Sequence, residues 1–223
     1  MGFYKKLQAD TEKERQELFN VPVIKRGLTG KITRDTYTAF LTEAYHHVKH
    51  TVPLLMACGS RLPERLEWLR AAIGEYIEEE IGHEEWILND IANCGGDKKE
   101  TRHGRPSVAT ELMVAYAYDT IQRGNPAGFF GMVQVLEGTS IALATEAAGA
   151  IQKKLKLPDQ AFSYLRSHGS LDIQHFAFFE TLMNRIRNHR DQEAILHCAR
   201  VMYKLYADIF RSLPIPSDEQ MVA

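Results

Sequence analysis

The sequence predicts an all-α chain folded as one domain of seven helices. Nearly every long segment repeats its apolar residues at spacings of three and four, and the interruptions fall at Gly and Pro. No alternating run of useful strand length, internal repeat or low-complexity tract is visible. Short links between periodic segments point to a bundle with one core. Residues 1–223 are read as one unit, with the core over about 33–212 and a loose tail over 214–223.

Phe3, Leu7, Leu18 and Phe19 among charges predict an opening helix from Met1 to Phe19, closed before Val21-Pro22. A polar link through Gly27 and Gly30 follows. Thr33 then caps a long helix through Tyr37, Leu41, Tyr45 and Val48 to Leu55, which Pro53 is expected to kink rather than end. Pro63 opens the next helix, which runs without a break through Trp68, Ile73, Ile81 and Ile91 to Gly95-Gly96. Asp97 to Arg105 reads as a surface loop, and Pro106-Ser107 starts a helix that stops at Gly124-Asn125-Pro126. Ala127 to Lys154 is the most apolar segment, as a helix packed on several sides should be. Pro158 restarts the pattern to about Asn188, and a last helix capped by Asp191 runs to Phe210.

Composition excludes several function classes. Lys and Arg number 27 against 29 Asp and Glu, a net charge of −2 without a basic cluster, which does not suit nucleic acid or an anionic membrane. Three scattered cysteines form neither a disulfide framework nor a Cys-rich zinc site. No run is expected to reach the roughly 20 apolar residues of a membrane span, and the charged N-terminus lacks the core of a signal peptide. A reducing, cytoplasmic setting is expected. A chain of this length buries roughly 70% of its unfolded surface without help from a metal, so a bound metal would serve chemistry. Nine histidines are the unusual feature.

Glu80 and His83 are three residues apart within one expected helix, hence roughly 60° apart on one face. Glu-x-x-His is a unit from which bundles build carboxylate-bridged dimetal sites, although the acidic run Glu78 to Glu80 also suits a solvated face. His168, Asp172 and His175 are spaced by four and three, on the stripe that carries Leu165, Phe179 and Leu182. Either Asp172 satisfies two core-edge histidines or the three are ligands. Glu137 is the sole ionisable residue between Arg123 and Glu146, so it must be paired, protonated or bound to a cation. The six residues Glu80, His83, Glu137, His168, Asp172 and His175 supply donors for two metal ions with positions left open.

A Glu-x-x-His, a lone Glu about fifty residues later and a His-x-x-x-Asp-x-x-His about thirty residues beyond resemble the heme-oxygenase-like diiron oxidases and oxygenases, over about Tyr37 to Phe210. The resemblance implies a heme-oxygenase-like bundle in which Glu80, His83 and His168 hold one iron and Glu137, Asp172 and His175 the other, with manganese an alternative metal. It further implies dioxygen as co-substrate and oxidation of a small organic acid, amine or lipid-like molecule. Some members place the first carboxylate seven residues before the histidine, where this chain has Tyr76; Glu79 competes geometrically with Glu80.

The same superfamily includes thiaminase II enzymes, whose cysteine nucleophile has no counterpart between Ala127 and Lys154. Heme oxygenases use an early proximal histidine, and cofactor-free quinone-forming oxidases share the fold. His46, His47 and His50 are read as surrounding the metals or facing substrate, along with Tyr76, while His103, His189 and His197 look incidental. Phe129, Phe130, Met132, Val135 and Leu136 suit core, or an apolar substrate wall if one face is open. No Gly-x-Ser-x-Gly or phosphate-binding loop is present. A small-molecule substrate, an external electron donor and a homodimer are expected; a metal-free binding or regulatory protein is the competing class.

Overall fold

The computed structural model describes residues 2–215, except for the side chains of residues 168–176. Every regular element among them is helical: α1 Phe3–Asp10, α2 Glu12–Phe19, α3 Pro22–Leu28, α4 Arg34–Val48, α5 Thr51–Arg61, α6 Glu67–Glu80, α7 His83–Asn93, α8 Lys98–His103, α9 Val108–Gln122, α10 Phe130–Leu155, α11 Ser163–Arg185 and α12 His189–Ser212. Short 3-10 turns at Glu64–Leu66, Pro126–Phe129 and Asp159–Ala161 lead into α6, α10 and α11. The all-α prediction holds. The expected seven helices become 12 among the described residues, and each added break has a local cause.

Thr11 splits the opening helix by turning its hydroxyl back onto the Leu7 carbonyl at 2.7 Å. The supposed link after Asn20 contains α3, started by Pro22 at a position that needs no amide and anchored by buried Val23 and Ile24. Pro53 ends rather than kinks its helix. Its ring conflicts with the carbonyl four residues earlier, at Lys49, and the chain restarts at Thr51. The surface loop holds α8, because the Asp97 side chain accepts from the Lys99 and Glu100 amides at 2.7 and 3.1 Å. Thr33 caps α4 as expected, accepting from the Thr36 amide at 3.1 Å.

The cap of α12 is Asn188, not Asp191. Asp191 is fully buried, where Asn125 donates to it at 2.8 Å and Arg65 closes a two-pronged ion pair. Two other carboxylates tie distant helices together. Glu43 of α4 accepts from the Ser107 amide at 3.1 Å and from its hydroxyl at 2.9 Å, at the start of α9. Asp90 of α7 accepts from the Ser163 and Tyr164 amides at 3.1 and 2.9 Å, at the start of α11.

Helix α10 is the spine, packed along α11 and α12 with α3 beside it. Gly131 permits the close approach to α12: a Cβ there would lie 2.5 Å from both the Ala199 nitrogen and the Ile195 oxygen. On the other side α4 packs on α7 and α9, and α5 on α6 and α9. Pro126–Leu155 is long and apolar enough to cross a membrane, contrary to the expectation that no run would be. Its most apolar stretch is 61% buried inside the protein, as the central helix of a helical core must be.

Candidate metal centre

Glu80 is the last residue of α6 and His83 the first of α7. The single helix expected across them is broken by Ile81 in extended backbone and Gly82 at φ +92°, a conformation that favours glycine. Acidic Glu78 to Glu80 also sit at the unfavourable negative end of α6. The two side chains nevertheless meet, with His83 Nδ1 3.0 Å from Glu80 Oε2. Both are largely buried, and the His83 ring is held by stacking on Trp86 at 4.0 Å between centroids. The motif therefore works as a corner between two helices.

Glu80 opens on a cavity of about 690 Å³, counting its mouth. Its walls include Tyr76 and Glu80 from α6, His47 from α4, Met132 and Glu137 from α10, and Tyr206 from α12. Two carboxylates 57 positions apart in sequence thus face one space. Glu79 is exposed and Glu80 is not. Phe129, Met132 and Leu136 also line the cavity, whereas Phe130 and Val135 are fully buried core.

The histidine cluster divides. His47 is buried in the cavity wall, and its Nδ1 lies 3.0 Å from the Glu43 carbonyl. A carbonyl only accepts, so Nδ1 carries the proton and Nε2 the lone pair. His46 takes the opposite tautomer: Lys49 Nζ donates to its Nδ1 at 3.2 Å, leaving Nε2 to carry the proton. Burial, reinforced by the Lys49 charge, pushes the His46 pKa down. His50 pairs through Nδ1 with the Tyr118 hydroxyl at 3.1 Å, and its pKa is also lowered by burial and then Lys49. Neither His46 nor His50 is among the described residues lining the cavity. His103, His189 and His197 are exposed.

The side chains of His168, Asp172 and His175 lie outside the described residues. Their helix, α11, packs along α10 and against α7, the helices that carry Glu137 and His83. Among the described residues, no three His, Cys, Asp or Glu side chains gather closely enough to hold an ion by themselves. Residues 38–207 match the model of a family described as iron-containing redox enzymes. The chain belongs to that family.

Solved structures give the family member its fold relatives. A domain of unknown function with a heme oxygenase-like fold from Shewanella denitrificans is 25% identical, with a TM-score of 0.85 over 93% of this chain and 90% of that one. A TenA homologue from Pseudomonas syringae pv. tomato is 10% identical, with a TM-score of 0.77 over 94% and 91%. Heme oxygenase-1 from the cyanobacterium Synechocystis, in complex with heme, is 12% identical, with a TM-score of 0.76 over 100% and 95%. The last two likenesses show the shared heme oxygenase-like fold. No curated protein matches the sequence.

Proposed function

We propose that this member of the iron-containing redox enzymes is a dioxygen-activating non-heme diiron oxidoreductase. The observation that carries the reading is the meeting of Glu80 and Glu137, from different helices, on one cavity with the lone-pair nitrogen tautomer of His47. Carboxylate and imidazole are the donors that suit iron or manganese. Glu80, His83 and His168 would hold one ion, and Glu137, Asp172 and His175 the other. Supporting this, Leu165, Phe179 and Leu182, which flank the α11 triplet on the same helical stripe, are all buried.

Ferrous ions bound there would supply dioxygen reduction and the oxidising power to remove hydrogen from an organic acid, amine or lipid-like substrate. His47 stands in the cavity wall, and its Nδ1 donates to the Glu43 carbonyl, which fixes the orientation of its ring. Tyr76 and Tyr206 help wall the same space. An external electron donor, a homodimeric assembly and a cytoplasmic setting complete the proposal.

Heme is the reading to set beside it, since His47 could present Nε2 to an iron. Two carboxylates in the same wall would then face a porphyrin's apolar surface, at a desolvation cost that a metal-ion site does not incur. The cysteine-nucleophile chemistry of a thiaminase-like enzyme lacks a suitable thiol: Cys58, Cys94 and Cys198 are buried and none is among the described lining residues. Burial pushes the Cys58 and Cys198 thiols up to about 12, far from a reactive thiolate.

Anaerobic ferrous loading followed by iron analysis and Mössbauer spectroscopy tests the proposal. Two high-spin ferrous ions per chain are expected, with binding lost in the double variant His168→Ala, Glu137→Ala. Absence of binding by the wild type, unchanged binding by the variant, or stoichiometric heme uptake at the same cavity would overturn it.

A further inference from the structure

The acidic cavity has a neighbour. A second chamber of about 700 Å³, counting its mouth, lies between α3, α4, α10, α11 and α12. Ser140, Tyr164 and Tyr206 belong to the walls of both. On α10 the connection is continuous: Glu137 and Ser140 lie on one face, and Leu143, Ala144, Ala147 and Ile151 carry that face along the second chamber. From Glu137 to Ile151 the helix rises about 21 Å.

The second chamber contains no charged side chain among its described lining residues. Its polar groups away from the partition are already engaged with the protein. Thr36 donates to the Pro214 carbonyl at 2.9 Å, Tyr37 to the Ala161 carbonyl at 2.9 Å and Thr139 to the Val135 carbonyl at 2.6 Å. What these residues present to the chamber is therefore methyl groups, ring faces and aliphatic side chains. The charged residues that line either space, Glu80 and Glu137, belong to the acidic cavity beyond the partition.

We infer that the two spaces form one bipartite site for an amphiphile whose hydrocarbon body occupies the uncharged chamber and whose polar end passes Ser140 toward Glu80 and Glu137. This rests on the proposed function for what happens at the polar end, but not for the binding of the body. Small Ala144 and Ala147 leave the space that the body fills, so they set the length accepted. A highly charged or fully polar substrate finds no partners in the chamber and would leave it empty.

The test uses the purified full-length protein and straight-chain n-alkyl alcohols from pentanol to decanol, whose neutral ends bind without requiring iron. Calorimetry should show affinity rising about fourfold for each added methylene until the chamber is filled, and then levelling. Ala147→Phe should move the levelling point to shorter alcohols while leaving circular dichroism and ferrous uptake unchanged; Leu143→Trp serves the same purpose if the first variant folds poorly. Affinity independent of chain length, or variants that follow the wild-type series, would overturn the inference. Iron content, measured separately on the same samples, tells failure of the chamber from failure of the metal centre.

Discussion

Adjacent residues on α4 show how much a single side chain's surroundings decide. His46 and His47 are both buried, but one receives a hydrogen bond from Lys49 on its Nδ1 and the other gives one to a backbone carbonyl from the same atom. Opposite tautomers follow. Because the His46 pKa is lowered by burial and then by Lys49, the unfolded chain binds the proton more tightly than the native state. The resulting stability is fully present above the unfolded value near pH 6.5 and is lost as pH falls below it. Thermal melts across pH 5 to 8 should show a fall on the acid side, shallower in His46→Gln; a residual fall is expected because His50 is shifted in the same direction. Asp191 has the opposite chemistry and the same slope. Burial raises its pKa, but the hydrogen bonds from Arg65 and Asn125 together outweigh burial and hold it below the usual carboxylate range. Its contribution is present above about pH 4 and lost as pH falls through the lowered native value. Asp191→Asn should cost about 2 kcal/mol at neutral pH in denaturant melts, with the gap to wild type closing toward pH 3.

At the scale of elements, two glycines have different duties. Gly131 makes room for α12, so Gly131→Ala should destabilise by about 1–3 kcal/mol through overpacking, read in a urea titration. Gly82 has open space around the position of a Cβ but a φ of +92°. Gly82→Ala should cost about 1–2 kcal/mol from the backbone alone and weaken ferrous binding by loosening the corner between Glu80 and His83. Helix starts were legible at Thr33 and Ser107, where a short polar side chain caps its own turn, but not at Asp97, which caps a helix inside an expected loop, or at Asn188, which caps α12 in place of the expected Asp191. The corner was not, because Glu-x-x-His fits the helical period and a single glycine within such a pattern is often tolerated. Nor were Asp90, Glu43 and Asp191 legible as anchors, since each serves a segment more than sixty residues away in the chain. Local patterns reveal local bonds.

For the molecule as a whole, the all-α class and the family were legible because periodicity and the spacing of rare ligand-type residues survive without knowledge of contacts. The second chamber was not, since its wall is drawn from five helices whose individual faces read as ordinary core. His47 could have been preferred over its neighbours only by knowing which face of α4 turns inward. Folding and metal binding should be linked by mass action. Ferrous ion at about one hundred times its dissociation constant adds about 2.7 kcal/mol of stability, which for a chain of this size raises the melting temperature by about 5–11 °C. Anaerobic calorimetry should show that rise in wild type and not in Glu137→Ala.

Tyr76 and Glu80 stand one helical turn apart on α6, and both line the acidic cavity. The corner at Gly82 fixes where α7 begins without dictating which turn of α6 supplies the carboxylate. A donor could therefore be transposed from one position to the other without moving a helix. Exchanging Glu80→Ala and Tyr76→Glu in the same chain would convert the short spacing into the seven-residue one and make the cavity's tolerance of ligand relocation directly measurable.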